Sequence, residues 1–338
     1  MTVCYFLQAS RSSQIFDISL PGESDGSIKY HTTIAPARSF RPTTLALPGL
    51  VEPQTHVCEL YSPNWVVFQP NIVIDAKLGC LWHISLCLPE LCSQIADLST
   101  CTQVALKRTK GKHVLLKILL EKTKQEKPPL DKLQDCFSHI NNVYRDWVEA
   151  ELQTLSAMPP NAPLSTKPVT PARVLIDQND MYTEIFQKLD SEKELRKLEW
   201  IIISYITSLS EYSISAQHGI NELLVTTLAR QHKFTALQQM LQYGVISNSK
   251  PLACLLLSLG NMHPSASQMA LDMLARINAK EEIQEVLISQ GQILAALKIA
   301  EDNANPRKFL SAATKNTDLH SVLVHFRNNP NFAEVFKK

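Results

Sequence analysis

Glycine is scarce in this chain, with nine among 338 residues. Phosphate-binding loops need glycine where backbone must approach an anion closely, so a nucleotide-binding enzyme fits this composition poorly. No Walker loop, GxGxxG, GxSxG or HExxH pattern occurs, which removes the common marks of phosphoryl, hydride, acyl and zinc-peptidase chemistry. Charge bias is absent too. Lys and Arg number 33 against 32 Asp and Glu, a net charge of +1 with no global pull toward nucleic acid or an anionic membrane. The most apolar runs, 198–209 and 251–259, fall well short of the ~18–20 residues that cross a bilayer. The opening MTVCYFLQASRSSQIF lacks the basic and apolar regions of a signal peptide, so a cytosolic chain is expected. Seven of the eight cysteines precede Asn141 at irregular intervals, and Cys254 stands in an apolar run. Free thiols packed as small hydrophobes are expected rather than a disulfide framework.

What is present suffices for a folded protein. Hydrophobic residues make up 45% and charged residues 19%, enough to build a core in a chain long enough for about two or three domains. The most informative stretch is YSPNWVVFQPNIVIDAKLGCLW, Tyr61 to Trp82. It predicts strands over Trp65–Phe68 and Ile72–Asp75, a turn at Lys77-Leu78-Gly79, and a run into Leu81-Trp82. Before it, segments read as strand and turn; after about Pro89, they read as helix.

Four parts follow. Residues 1–88 form a β region, with strands expected at Val3–Leu7, Gln14–Leu20 and Ile28–Ile34. Short strands between turns suit a sandwich or propeller, and this length supplies only about two blades at ~40–45 residues each. Residues 89–157 are helical, with helices expected at Leu91–Lys107, His113–Lys124 and Leu130–Leu155, the last carrying Leu133, Phe137, Ile140, Tyr144, Trp147 and Val148 on one face. Residues 158–175 are a proline-rich linker or loop, since MPPNAPLSTKPVTP breaks any helix. From 176 to 338 short helices follow one another, as an α-solenoid requires, with an irregular bundle as the competing arrangement. Within it, Ser265 with Gln268 reads as a capping box, Asn305-Pro306 as a helix start, and Pro251–Leu259 as a central buried helix. The fold class is therefore mostly α with an N-terminal β part: partial propeller-like strands followed by an α-solenoid.

Candidate chemistry is sparse. His83, Cys87, Cys92 and Cys101 lack the tight C-x2-4-C pairs that zinc favours, so packed thiols are the better reading. Asp177-Gln178-Asn179-Asp180 lacks the glycine of a calcium loop, having Tyr182 at the sixth position; Asp180 is expected to cap a helix with Glu184 in its first turn. No catalytic residue, metal or cofactor is implied. One charged run stands out, Lys107 to Lys127, with eight Lys or Arg against Glu121 and Glu126 around an apolar Val114–Leu120. Lys107, Arg108, Lys110 and Lys112 are the candidates to hold an acidic partner or an anionic membrane. The alternative is a solvated helix face. Without aromatics among them, these residues offer nucleic acid no stacking platform.

The chain resembles the Mic-domain family, the Bulli-like regulator subunit of the Mon–Ccz complex. The resemblance is carried by Tyr61–Trp82, VLIDQNDMYTEIF at Val174–Phe186, SNSKPLACLLLSL at Ser247–Leu259, SQMALDMLARI at Ser267–Ile277 and QILAALKIAEDNANPRKFLSAA at Gln292–Ala313. It implies an N-terminal β-propeller, here mostly missing, followed by an α-solenoid. It also implies a heterotrimer with the Mon and Ccz subunits, the exchange factor for a late-endosomal Rab GTPase. Endosome maturation, lysosomal fusion and autophagy would be the processes served, at late endosome and lysosome membranes. The exchange site would lie on the Mon and Ccz subunits, leaving this chain a non-catalytic scaffold. Propeller-plus-solenoid design also suits a coat or tethering subunit of vesicle traffic.

Overall fold

A computed structural model describes residues 2–7, 12–20, 22–25, 28–31, 33–39, 43–46, 55–58, 62–77, 79–83, 86–157, 174–300, 306–313 and 319–328. The chain is mostly helical with a small antiparallel β part at its N-terminus. It divides into two compact units, Met1–Ile214 and Ser215–Lys338. The division falls inside the segment that the sequence presents as a single solenoid.

In the first unit, β1 (Thr2–Leu7), β2 (Ser12–Asp17) and β5 (Ala35–Ser39) form one antiparallel sheet in the order β1-β2-β5. Two further antiparallel pairs are β3 (Glu23–Asp25) with β4 (Ile28–Tyr30), and β6 (Thr43–Ala46) with β7 (Thr55–Cys58). The Tyr61–Trp82 stretch is a three-stranded meander of β8 (Trp65–Phe68), β9 (Ile72–Asp75) and β10 (Cys80–His83). Gly79 turns β9 into β10 at φ +64, a conformation that a side chain would strain.

Helices then take over. Where one helix is expected over Leu91–Lys107, there are two, α1 (Leu88–Gln94) and α2 (Leu98–Leu106). No glycine or proline marks the break. It is made by Asp97, whose side chain accepts from the Thr100 N–H at 2.8 Å and caps α2. Next come α3 (Gly111–Thr123) and α4 (Leu130–Ala157). Beyond Val174 the chain enters α5 (Gln178–Met181), a π-helical turn (Tyr182–Phe186), a 3-10 turn (Gln187–Leu189) and α6 (Leu195–Glu211). The cap of α5 is Asp177, not Asp180. The two aspartates form a reciprocal box, each accepting from the other's backbone N–H, and Glu184 falls in the π turn.

The core of this unit includes Leu115, Leu119, Leu133, Phe137, Ile140, Phe186, Leu198 and Ile202, each at most 1% exposed. Tyr205 stands edge-on to both Phe137 and Phe186, with centroids 5.4 Å from each. Its hydroxyl is buried and has no hydrogen-bond partner among the described residues, and burial pushes its phenol pKa upward. A buried unmade hydrogen bond costs about 1–3 kcal/mol. Tyr205→Phe keeps both ring contacts and removes that cost. We expect its melting temperature to equal or exceed the wild type; a drop of several degrees would show that the hydroxyl has a partner.

The second unit is helical throughout its described part: α7 (His218–Arg230), α8 (Phe234–Gln242), α9 (Lys250–Ser258), α10 (Pro264–Arg276), α11 (Lys280–Ser289), α12 (Ile293–Ala300), α13 (Pro306–Ala313) and α14 (Leu319–Asn328). Helices pack with the next and next-but-one, as α7 with α8 and α9, and α8 with α10. The joints share one geometry. After α7, α8, α10 and α11, a left-handed residue (His232, Gly244, Asn278, Gly291) lets the following N–H reach back five residues, as Lys233 does to the Leu228 carbonyl at 2.9 Å. This is the Schellman stop. The cap of α10 is the His263 imidazole, accepting from Ser265 N–H, where the sequence suggested Ser265. Helix α9 is not buried all round: Leu252, Ala253 and Leu256 are inside, while Cys254 is exposed.

Candidate interaction surface

Of the four cationic candidates, three reach inward. The Lys107 ammonium donates to the Ser19 carbonyl. Arg108 donates to the Val104 carbonyl and to Asp17 Oδ2, the latter at 2.6 Å, with the Asp17 side chain fully buried. Lys112 pairs with Asp180 Oδ2 at 2.7 Å. Burial works to raise the Asp17 carboxyl pKa, but hydrogen bonds from Ser19 and Arg108 more than offset it and leave it below its ordinary value. Lys107 and Arg108 thus fasten the end of β2 to the end of α2, and Lys112 fastens α3 to the α5 cap. Sequence alone sees only their charge.

Lys110 remains exposed, and so do His113, Lys117, Glu121 and Lys124, spaced three or four apart along the outer side of α3. Opposite this face, Leu115, Leu116 and Leu119 are buried. The helix is amphipathic in the ordinary way, with a cationic outer stripe.

A second surface is apolar. The strand register places Val66, Ile74 and Leu81 in one row and Phe68, Ile72 and His83 in the next, all on one face of the meander. Val66 is 48% exposed, Phe68 47% and Leu81 63%. On the opposite face Val73 and Asp75 are each 1% exposed and the Trp65 indole N–H donates to Asp75 at 3.2 Å, while Val67 at the edge strand is 55% exposed. A contiguous exposed apolar patch of this kind marks a contact surface more often than a solvated one. The signal was present in the sequence, because WVVF and IVID are apolar at nearly every position. A strand that is apolar on both sides expects two covers.

Among the described residues no group of three or more His, Cys, Asp or Glu is gathered as metal ligands, and no helix is long and apolar enough to cross a membrane. His83 bonds to Asn71 at 2.7 Å, and Cys87 is exposed while Cys92 and Cys101 are buried.

His139 on α4 has a structural part. Its Nε2 lies 2.8 Å from Ser99 Oγ and 3.1 Å from Gln103 Nε2, and burial lowers its pKa below the ordinary 6.5. The folded state therefore favours the neutral ring, so this contribution is intact above the ordinary value and fades as pH falls through the lower folded value. Wild-type melting temperature should decline between pH 7 and pH 5 more steeply than that of His139→Gln. Parallel curves would remove His139 from the account.

Fold and surface together define a mostly helical protein with an exposed apolar strand face and a cationic helix stripe. The family model described as "Regulator of MON1-CCZ1 complex, C-terminal" matches residues 108–332, and the chain belongs to that family. A human "Regulator of MON1-CCZ1 complex" is 36% identical over 351 residues, covering 96% of this chain and 53% of the human protein. The mouse protein of that name is also 36% identical, with the same coverage. A homologue from Dictyostelium discoideum is 33% identical over 118 residues, covering 33% of this chain. The chain spans about half the length of the human and mouse relatives it matches.

Proposed function

We propose that this chain is a non-catalytic scaffold and regulatory subunit that binds the Mon–Ccz pair. It would support their exchange activity toward a late-endosomal Rab GTPase, and through it endosome maturation, lysosomal fusion and autophagy. Family membership over 108–332, reinforced by human and mouse regulators of that complex, carries the reading. We read the helices from residue 176 onward as the solenoid-like part and the strands before α1 as propeller-like. The exposed face carrying Val66, Phe68 and Leu81 is the surface we assign to the partner pair. Aromatic and aliphatic anchors of this kind supply most of the energy of an interface.

Co-expression with Mon and Ccz, followed by size-exclusion chromatography, tests the reading. A ternary peak is expected, and the double substitution Phe68→Ser with Leu81→Ser should weaken it at least tenfold while leaving the chain folded. A monodisperse chain that never enters the peak would defeat the proposal. An intact peak with the double variant would move the interface elsewhere.

The cationic stripe of α3 supports a second reading, peripheral attachment to an anionic membrane. Liposome sedimentation should compare wild type with Lys110, Lys117 and Lys124 changed to Glu. Reversing Lys107, Arg108 or Lys112 would confound that test, because those side chains hold the fold. Sedimentation that is unaffected by the triple change would eliminate the stripe as a membrane contact.

A further inference from the structure

Cys92 on α1 and Cys101 on α2 face each other across the joint at 95–97. Both are buried, at 4% and 2% exposure, in a cluster with Ile34, Leu88, Leu91 and Val104. The Cys101 sulfur lies 3.9 Å from the Cys92 carbonyl oxygen, inside that same cluster. Their ionisation is unequal. The neighbouring Cys101 thiol favours the Cys92 thiolate, with help from the Arg108 charge, whereas Cys101 is pushed well above the ordinary thiol range. Cys136, the third buried thiol nearby, is engaged with the Thr102 hydroxyl instead. The joint between α1 and α2 thus sets two buried sulfurs beside each other, one of them biased toward the thiolate.

We propose that Cys92 and Cys101 are a redox modification site, joined reversibly as a disulfide by a hydroperoxide oxidant. The Cys92 thiolate attacks one peroxide oxygen, the O–O bond breaks, and the displaced oxygen leaves as water after taking a proton. The Cys101 sulfur then displaces the hydroxyl of the Cys92 sulfenic acid, forming the S–S bond and a second water. Two thiols lose two hydrogens and two electrons, and one hydrogen peroxide becomes two waters. A small dithiol reductant reverses the step. Burial makes the site slower to react than exposed Cys87 or Cys254. The bond would pin α1 to α2 in the cluster that also contains Ile34 from the β part.

The test is made on the full chain treated with hydrogen peroxide, its remaining thiols alkylated under denaturing conditions. Digestion with Asp-N cuts before Asp97, between the two cysteines. The expected product is a pair of peptides meeting at Ala96 and Asp97, held together by a bond at Cys92 and Cys101 and separated by reductant. Cys101→Ser should trap a sulfenic acid at Cys92, read with a dimedone probe. If that variant fails to fold, the wild-type map still decides. Recovery of both thiols as alkylated residues while Cys87 or Cys254 is oxidised would overturn the proposal, as would a Cys101–Cys136 link.

Discussion

Gly111→Ala should lower the melting temperature sharply. Gly111 is buried at the start of α3, where the chain has just turned back from α2. A Cβ there would overlap the Ala105 carbonyl oxygen, with the carbonyl carbon 2.6 Å away and Cα 3.1 Å. Every obstructing atom is backbone in the last turns of α2, and Ala105 is itself fully buried. No rotamer can move aside, so α2 and α3 must separate and open the leucines packed beneath them. Overpacking of this kind costs about 1–3 kcal/mol where side chains can adjust, and more where backbone must move. Thermal denaturation should show a fall of roughly 10 °C or more, taking about 2–4 °C per kcal/mol for a unit of this size. An unchanged transition would mean that the α2–α3 turn is looser than described.

The second large effect lies in the other unit. Leu256 on α9 is fully buried, and α9 packs against α10 and α7. Leu256→Asp places a carboxylate where no cation is described, and burying an unpaired charge costs several kcal/mol. Leu256→Ala leaves a cavity and should cost about 2–5 kcal/mol. Cys254→Ser, two positions away on the exposed side, should fall within about 0.5 kcal/mol of wild type. The ordering of these three by chemical denaturation is the check. Equal midpoints for all three would show that α9 does not sit in the core.

Much of this architecture could be read from sequence because the signals were periodic. The strands Trp65–Phe68 and Ile72–Asp75 fall where their apolar, β-branched runs put them, and α3 and α4 fall within two residues of their apolar periods. What escaped was set by single side chains acting locally or by distant partners. Asp97 splits a continuous apolar period by capping, and neither glycine nor proline announces the break. Asp177 outranks Asp180 as cap because the box needs both, and the sequence cannot say which stands outside the helix. Cys254 lies in an unbroken apolar run, yet α9 leaves one side open. For the interaction surface the gap was wider. Lys107, Arg108 and Lys112 look like free charge until Ser19, Asp17 and Asp180 are brought to them through the fold. The apolar meander face shows the reverse, since its composition was visible but its exposure was not.

The link between Arg108 and Asp17 also bears on how the protein can be divided. The family match begins at residue 108, a natural place to start a shortened version. Such a fragment would open on an arginine whose counter-ion lies 91 positions upstream and has been discarded. It would lose Lys107 with its anchor at Ser19, and also α1 and α2, against which α3 packs. Sequence homology and folding autonomy therefore have different borders in this chain, and any dissection of it should keep the strands with the helices they brace.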